Sequence, residues 1–160
     1  MTDTARRRFF TRRNEHWQAL PWLAAPAQFH DNCSRCNACV EKCEEQIIVR
    51  GEAGFPTLDF KRGECTFCYA CAQACEEQLF TPRDEAPWQQ VAHIADNCLA
   101  QQGITCRSCE DFCEPQAIVF KPRLGGPALP SVDSDDCTGC GACIAPCASA
   151  SISFTHLESL

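Results

Sequence analysis

Apolar residues along this chain come in short bursts rather than long stripes. Ile47-Ile48-Val49, Leu79-Phe80, Ala117-Ile118-Val119-Phe120 and Ile152-Ser153-Phe154 each follow a group of cysteines, and each is long enough only for a strand of a few residues. Gly51 to Gly54 reads as a turn between two such strands, expected at Ile47–Arg50 and Thr57–Phe60. Pro122 to Pro130, with Gly125 and Gly126, is its counterpart further along. The phrase Cys43-Glu44-Glu45-Gln46-Ile47 returns as Cys75-Glu76-Glu77-Gln78-Leu79. A repeat of about 32 residues implies copies of one small unit that cannot bury a face alone. The expected unit is strand, cysteine-bearing loop, short helix, strand. No apolar run approaches the roughly 18 residues that a membrane span needs.

The cysteines explain this punctuation. Cys65, Cys68, Cys71 and Cys75 stand as C-x2-C-x2-C-x3-C, and the same spacing recurs at Cys33, Cys36, Cys39 and Cys43 and at Cys137, Cys140, Cys143 and Cys147. A further set is irregular: Cys98, Cys106, Cys109 and Cys113, with seven residues between the first two. Three thiolates two residues apart curl round one cube of iron and sulfide, while the fourth falls a helical turn further on and points elsewhere, towards a second cluster. A disulfide scaffold tolerates irregular spacing, and structural zinc favours C-x2-C pairs a dozen or more residues apart. Neither accounts for a triplet repeated three times. Sixteen cysteines make four sets of four. Four [4Fe–4S] clusters are expected, or three if the Cys98, Cys106 and Cys109 set is empty.

Composition and charge sharpen this picture. With 9% aromatic residues and two short halves, apolar burial alone is marginal, so cluster binding and folding are expected to be coupled. Residues 1–13 hold Arg6, Arg7, Arg8, Arg12 and Arg13 against Asp3, whereas the whole chain carries a formal charge of −7. The acidic body argues against nucleic acid and suits docking to a basic patch on a redox partner. The stretch Arg6-Arg7-Arg8-Phe9-Phe10, with the apolar Trp17–Ala27 and Ala25-Pro26-Ala27, has elements of a twin-arginine export signal. Arg12, Arg13, Glu15 and His16, then Pro21 and Pro26, interrupt it, which favours a retained arm with Arg6–Phe10 as a docking segment. The organisation read from these features is an arm at 1–27, a two-cluster half at 28–81, a connector at 82–91 and a second two-cluster half at 92–160.

The doubled run resembles the two-cluster bacterial ferredoxin family, whose rule is crossed ligation. The resemblance implies an α+β fold of two tandem ferredoxin-like halves with short strands and short helices. Carried onto this chain, it implies one cluster on Cys33, Cys36, Cys39 and Cys75, and another on Cys65, Cys68, Cys71 and Cys43. In the second half it implies Cys98, Cys106 and Cys109 with Cys147, and Cys137, Cys140 and Cys143 with Cys113. The proline that ordinarily follows the fourth cysteine is absent: Glu44, Glu76, Glu114 and Ala148 stand there, with Pro115 one place late. A closer resemblance covers about residues 4–155. The early Arg-Arg-x-Phe-Phe, the phrase Glu64-Cys-Thr-Phe-Cys-Tyr-Ala-Cys-Ala-Gln-Ala-Cys75 and the irregular set ending Cys113-Glu-Pro-Gln-Ala-Ile-Val-Phe120 together resemble the NapF family, ferredoxin-type accessory proteins of periplasmic nitrate reductase systems. That resemblance implies a cytoplasmic protein that binds the precursor of the reductase's catalytic subunit before export and assists assembly of its iron–sulfur centre.

No catalysis of its own is expected. His16, His30, His93 and His156 show neither ligand spacing nor a partner for acid–base work, and no glycine-rich phosphate loop is present. Glu44, Glu45, Glu76 and Glu77, beside the fourth cysteines, would make a nearby cluster harder to reduce. Two other readings compete with maturation: a general electron-transfer ferredoxin, and a periplasmic, exported subunit of a quinol-oxidising chain. The last requires cleavage near Ala27.

Overall fold

The computed structural model describes residues 17–156. Arg6–Phe10, the expected docking segment, and His16 lie outside them. Three two-stranded antiparallel ribbons carry the architecture. β1 (Ile48–Arg50) pairs with β2 (Pro56–Leu58), and β4 (Ile118–Lys121) pairs with β5 (Leu129–Val132). β3 (Gln90–Ile94) pairs with β6 (Ile152–His156), so the second half begins and ends in one ribbon. The first half closes in the same way but more briefly, through a single bridge between Leu23 and Phe80.

The helices are one turn long: α1 (Phe29–Asn32), α2 (Ala38–Glu41), α3 (Ala70–Gln73) and α4 (Ser108–Asp111). The last three follow or overlap the cysteine triplets. The run from Cys137 to Cys147 forms turns instead of a helix. Pro146 has no N–H to give an i→i−4 bond and disfavours helical backbone at Ala145 before it, which stops a helix from closing there. β2 starts at Pro56, one residue before the expected Thr57, and ends at Leu58 rather than Phe60. Asp59 ends it: its carboxylate accepts from Lys61 N–H at 3.1 Å and its carbonyl from Arg62 N–H at 3.2 Å, turning the chain away.

Two small cores result. Leu20, Ile47, Ile48, Leu58, Phe60 and Cys71 form one; Ala92, Cys109, Ile118, Cys143 and Ile152 form the other. Ile144 and Phe154 pack against both and tie the halves together. Part of the stretch read as an arm is built into the first half. Leu20 is 1% and Trp22 5% exposed. Trp22 N–H donates to Pro87 O at 2.6 Å, Thr81 N–H to Trp22 O at 2.7 Å, and Ala24 N–H to Leu79 O at 2.9 Å. Trp17 stacks on Phe29 with ring centroids 5.4 Å apart, and His30 lies among Trp17, Phe29 and Phe55 as a packing residue. His93 and His156 are exposed on β3 and β6. Among the described residues no helix is long and apolar enough to cross a membrane.

Candidate metal centres

All sixteen cysteines carry free thiols, and they ring four cavities. Cavity I is lined by Cys33, Cys36, Cys39 and Cys75. Cavity II is lined by Cys43, Cys65, Cys68 and Cys71. Cavity III is lined by Cys113, Cys137, Cys140 and Cys143, and cavity IV by Cys98, Cys106, Cys109 and Cys147. Each set therefore joins three cysteines of one run to the last of another. Cavities III and IV each take in about 320 Å³, open solvent included, so the enlarged loop of the irregular set leaves as much space among its thiols as a regular one. Among the described residues no three of His, Cys, Asp or Glu stand close enough to share a single metal ion. Four sulfurs facing a common space that one ion cannot bridge is a donor set suited to a polynuclear cluster.

Local backbone explains how the regular loops curl. In each, the two residues between consecutive cysteines that turn the chain adopt left-handed conformations: Arg35 and Asn37, Phe67 and Tyr69, Gly139 and Gly141. Such φ values cost about 1–2 kcal/mol for residues other than glycine, so the surrounding structure must hold them there. Burial raises the Cys33 and Cys65 thiols, and the nearby N–H groups of Arg35 and Phe67, from within the same loops, work against that rise. Gln46, Gln78, Gln116 and Ala150, each three residues after a fourth cysteine, are left-handed too, and this feature spans all four runs. The irregular loop curls by other means. Gln102 N–H donates to Cys98 O at 3.0 Å, Ile104 N–H to Leu99 O at 2.9 Å, and Gln102 Nε2 to Asp96 O at 2.8 Å. Ala100 is wholly buried beneath this fold-back, which brings Cys98 to the same cavity as Cys106.

Electrostatics differ from cysteine to cysteine. Burial pushes the third thiol of every run up, Cys39 and Cys109 to about 11, Cys71 and Cys143 to about 12, and it raises Cys65 to about 11 as well. Thiols held this way keep their protons until a cation replaces them, as iron does on binding. Cys147 is the exception. Burial works upward there too, but donors from Ser151 and Ser149 outweigh it and hold the thiol below its ordinary value. Glu44 and Glu45 line cavity II and Glu77 lines cavity I, where Arg35 stands as well. Among the described residues the linings of cavities III and IV contain no charged side chain.

The halves meet ligand loop to ligand loop. Cys65 N–H donates to Cys140 O at 2.8 Å, joining the rims of cavities II and III. Beside this contact, Gly141 leaves space for the Phe60 ring; a Cβ on Gly141 would fall 2.1 Å from Phe60 Cδ1. Trp88 Nε1 donates to Thr138 O at 2.8 Å and Gln90 Nε2 to Gly139 O at 3.3 Å, fixing the cavity III loop against the approach to β3. Sequence reasoning missed this junction, because Phe60 and Trp88 carry no spacing signal. It also passed over Ser149 and Ser151, although their place in the fourth repeat, where the others have Glu or Pro and an aliphatic residue, was a legible departure.

Comparison with known proteins agrees with this geometry. The 4Fe-4S dicluster domain family matches residues 32–79 and 104–151. Both stretches hold cysteine runs, and only Cys98 falls outside them. Ferredoxin-type protein NapF of Escherichia coli (strain K12) is 44% identical over 86% of this chain and 84% of its own length. Ferredoxin-type protein NapF of Haemophilus influenzae is 46% identical over 86% of this chain and 78% of its own. The methylamine utilization ferredoxin-type protein MauM of Methylobacillus flagellatus is more distant, at 32% over 79% of this chain and 62% of its own. With two dicluster domains in tandem and this identity along most of its length, the chain belongs to the NapF family of ferredoxin-type [4Fe–4S] proteins.

Proposed function

We propose that each of the four cavities holds one [4Fe–4S] cluster through the four cysteines that line it, and that the loaded protein serves the maturation of a periplasmic nitrate reductase. In this reading it binds the precursor of the catalytic subunit in the cytoplasm, before export, and supplies electrons or cluster components to the precursor's iron–sulfur centre. The observation that carries the cluster assignment is the grouping of all sixteen thiols into four rings of four, with none left over. The client is inferred from the relatives named NapF, whose family the sequence resembles along most of its length. When bound, such clusters take up and release single electrons. The residues of this chain do the rest: cysteines anchor, left-handed loop residues turn the thiols inward, and carboxylates in cavities I and II and hydroxyls in cavity IV bias those sites.

Retention in the cytoplasm is supported by the packing of the segment upstream of Ala25-Pro26-Ala27. Cleavage after Ala27 would remove Leu20 from the first core and take away the buried Trp22. The test of function is binding of the anaerobically purified holo-chain to the purified precursor of the reductase's catalytic subunit. A complex that weakens as salt rises, and that loses strength when Arg6, Arg7 and Arg8 are replaced by alanine, is expected. No complex at any salt concentration sinks the maturation reading. A general electron carrier is the second reading, favoured by the direct contact between the rims of cavities II and III. It predicts electron exchange with unrelated redox proteins at rates equal to those with the precursor.

A further inference from the structure

Of the four cysteine rings, only cavity IV has side-chain hydroxyls against its sulfurs among the described residues. Ser151 Oγ lies 3.3 Å from Cys147 Sγ, and Ser151 N–H donates to the same sulfur at 3.4 Å. Ser149 Oγ is 3.7 Å from Cys147 Sγ, and Ser108 Oγ is 3.9 Å from Cys106 Sγ. An iron-bound thiolate can only accept, so in the loaded protein the hydroxyls of Ser151 and Ser108 are the donors to sulfur. Ser149 donates to Ser151 Oγ at 3.1 Å, which leaves the Ser151 proton for sulfur and polarises it. The arrangement is held in place: Ser151 is 3% exposed, its carbonyl accepts from Ala95 N–H at 2.8 Å, and Asn97 Nδ2 donates to Ser149 O at 3.1 Å. Among the described residues the hydroxyls of Ser34, Thr66 and Thr138, which line the other three cavities, make no hydrogen bond to sulfur; cavity III has a backbone donor instead, Ala92 N–H to Cys137 Sγ at 3.4 Å.

We propose that the Cys98/Cys106/Cys109/Cys147 cavity is the high-potential end of this protein, tuned chiefly by Ser151 with Ser149 behind it, and that a single electron placed anywhere on the chain comes to rest there. Donors to sulfur offset the negative charge that a cluster gains on reduction, and carboxylates oppose it. Among the described residues cavity IV alone adds hydroxyl donors to whatever the backbone supplies, and it has no carboxylate in its lining; cavity II has Glu44 and Glu45. The Cys65–Cys140 contact gives the first half a short route into the second. Electrons then run from a low-potential, one-electron donor at the first half towards the irregular site. Each step moves one electron and forms or breaks no bond.

This inference rests on the reading that cavity IV holds a cluster, and the experiment separates the two. The holo-protein is titrated with dithionite and followed by electron paramagnetic resonance, beside iron counts. Cys106→Ala is expected to remove about four irons and to abolish the highest midpoint. In Ser151→Ala that midpoint falls until the oxidised-to-reduced ratio at the native midpoint has risen about tenfold, a 59 mV shift for one electron. Ser151→Thr, which keeps the hydroxyl, restores it. The reciprocal Ala117→Ser, at the matching place after Cys113, raises the midpoint of the cavity III cluster. If Ser151→Ala does not retain its clusters, Ser149→Ala is read instead, with a smaller fall of the same sign. Unmoved midpoints in whichever serine variant is read, or a highest midpoint that survives Cys106→Ala while iron is lost, overturn the inference alone. Unchanged iron in Cys106→Ala overturns the cluster reading and the inference together.

Discussion

Single side chains set the character of each cavity. Glu44 and Glu45 bring two negative charges to cavity II, each worth about 1 kcal/mol at close range in water. Replacing both by glutamine is expected to raise one cluster midpoint, shifting its redox equilibrium up to roughly thirtyfold, and to leave the rest where they were. A redox titration in which all midpoints stay put would show that solvent screens these carboxylates completely. Gly141 matters for a different reason, since its left-handed φ of 90° and the Phe60 ring both exclude a side chain. Gly141→Ala should destabilise the junction by about 1–3 kcal/mol, seen as faster bleaching of the cluster absorbance on heating. Gly103, at φ 85° with nothing within 4 Å, provides the comparison. Gly103→Ala adds strain alone, about 1 kcal/mol, so bleaching as fast as in Gly141→Ala would mean that the Phe60 clash contributes nothing.

Elements here are too short to stand by themselves. β1 and β2 have three residues each, and the helices one turn, well below the length at which an isolated helix is stable. They persist because each is pinned between a core and a cysteine ring. The strip from Trp17 to Ala24 acts as an added wall of the first half, with Leu20 fully buried against Ile47, Ile48 and Leu58. Leu20→Ala should cost about 2–5 kcal/mol. The loss should appear first as release of iron from the first half, with the second half's clusters still in place. Uniform release from both halves would mean that the two cores unfold as one unit.

At the scale of the whole molecule, two small cores share Ile144 and Phe154, and neither approaches the size of an ordinary domain interior. Cluster binding must supply much of the folding free energy. Removing iron with a chelator under anaerobic conditions is expected to abolish the native circular dichroism and to open the chain to protease. An apo-protein that keeps its spectrum and its protease resistance would show that the apolar cores suffice.

Spacing is a local property, and what depends on local geometry was legible. Two residues between thiols oblige a tight loop, so the triplets, the short strands after them and the presence of iron–sulfur chemistry could be read from residue order. Pro146 even announces the missing helix in the last run. Which surfaces meet is not local. Cys65 and Cys140 touch because Phe60 seats against Gly141 and Ile144 and Phe154 bridge two cores, contacts between residues far apart in the chain whose individual identities carry no sign of it. In the same way, Ser151 becomes a donor to Cys147 only because β6 lies beside β3 and fixes its backbone. The sequence by itself determined the chemistry of the sites; the tertiary structure alone decided their order, their neighbours and the serine cradle of the irregular one, because packing couples positions that no spacing rule connects.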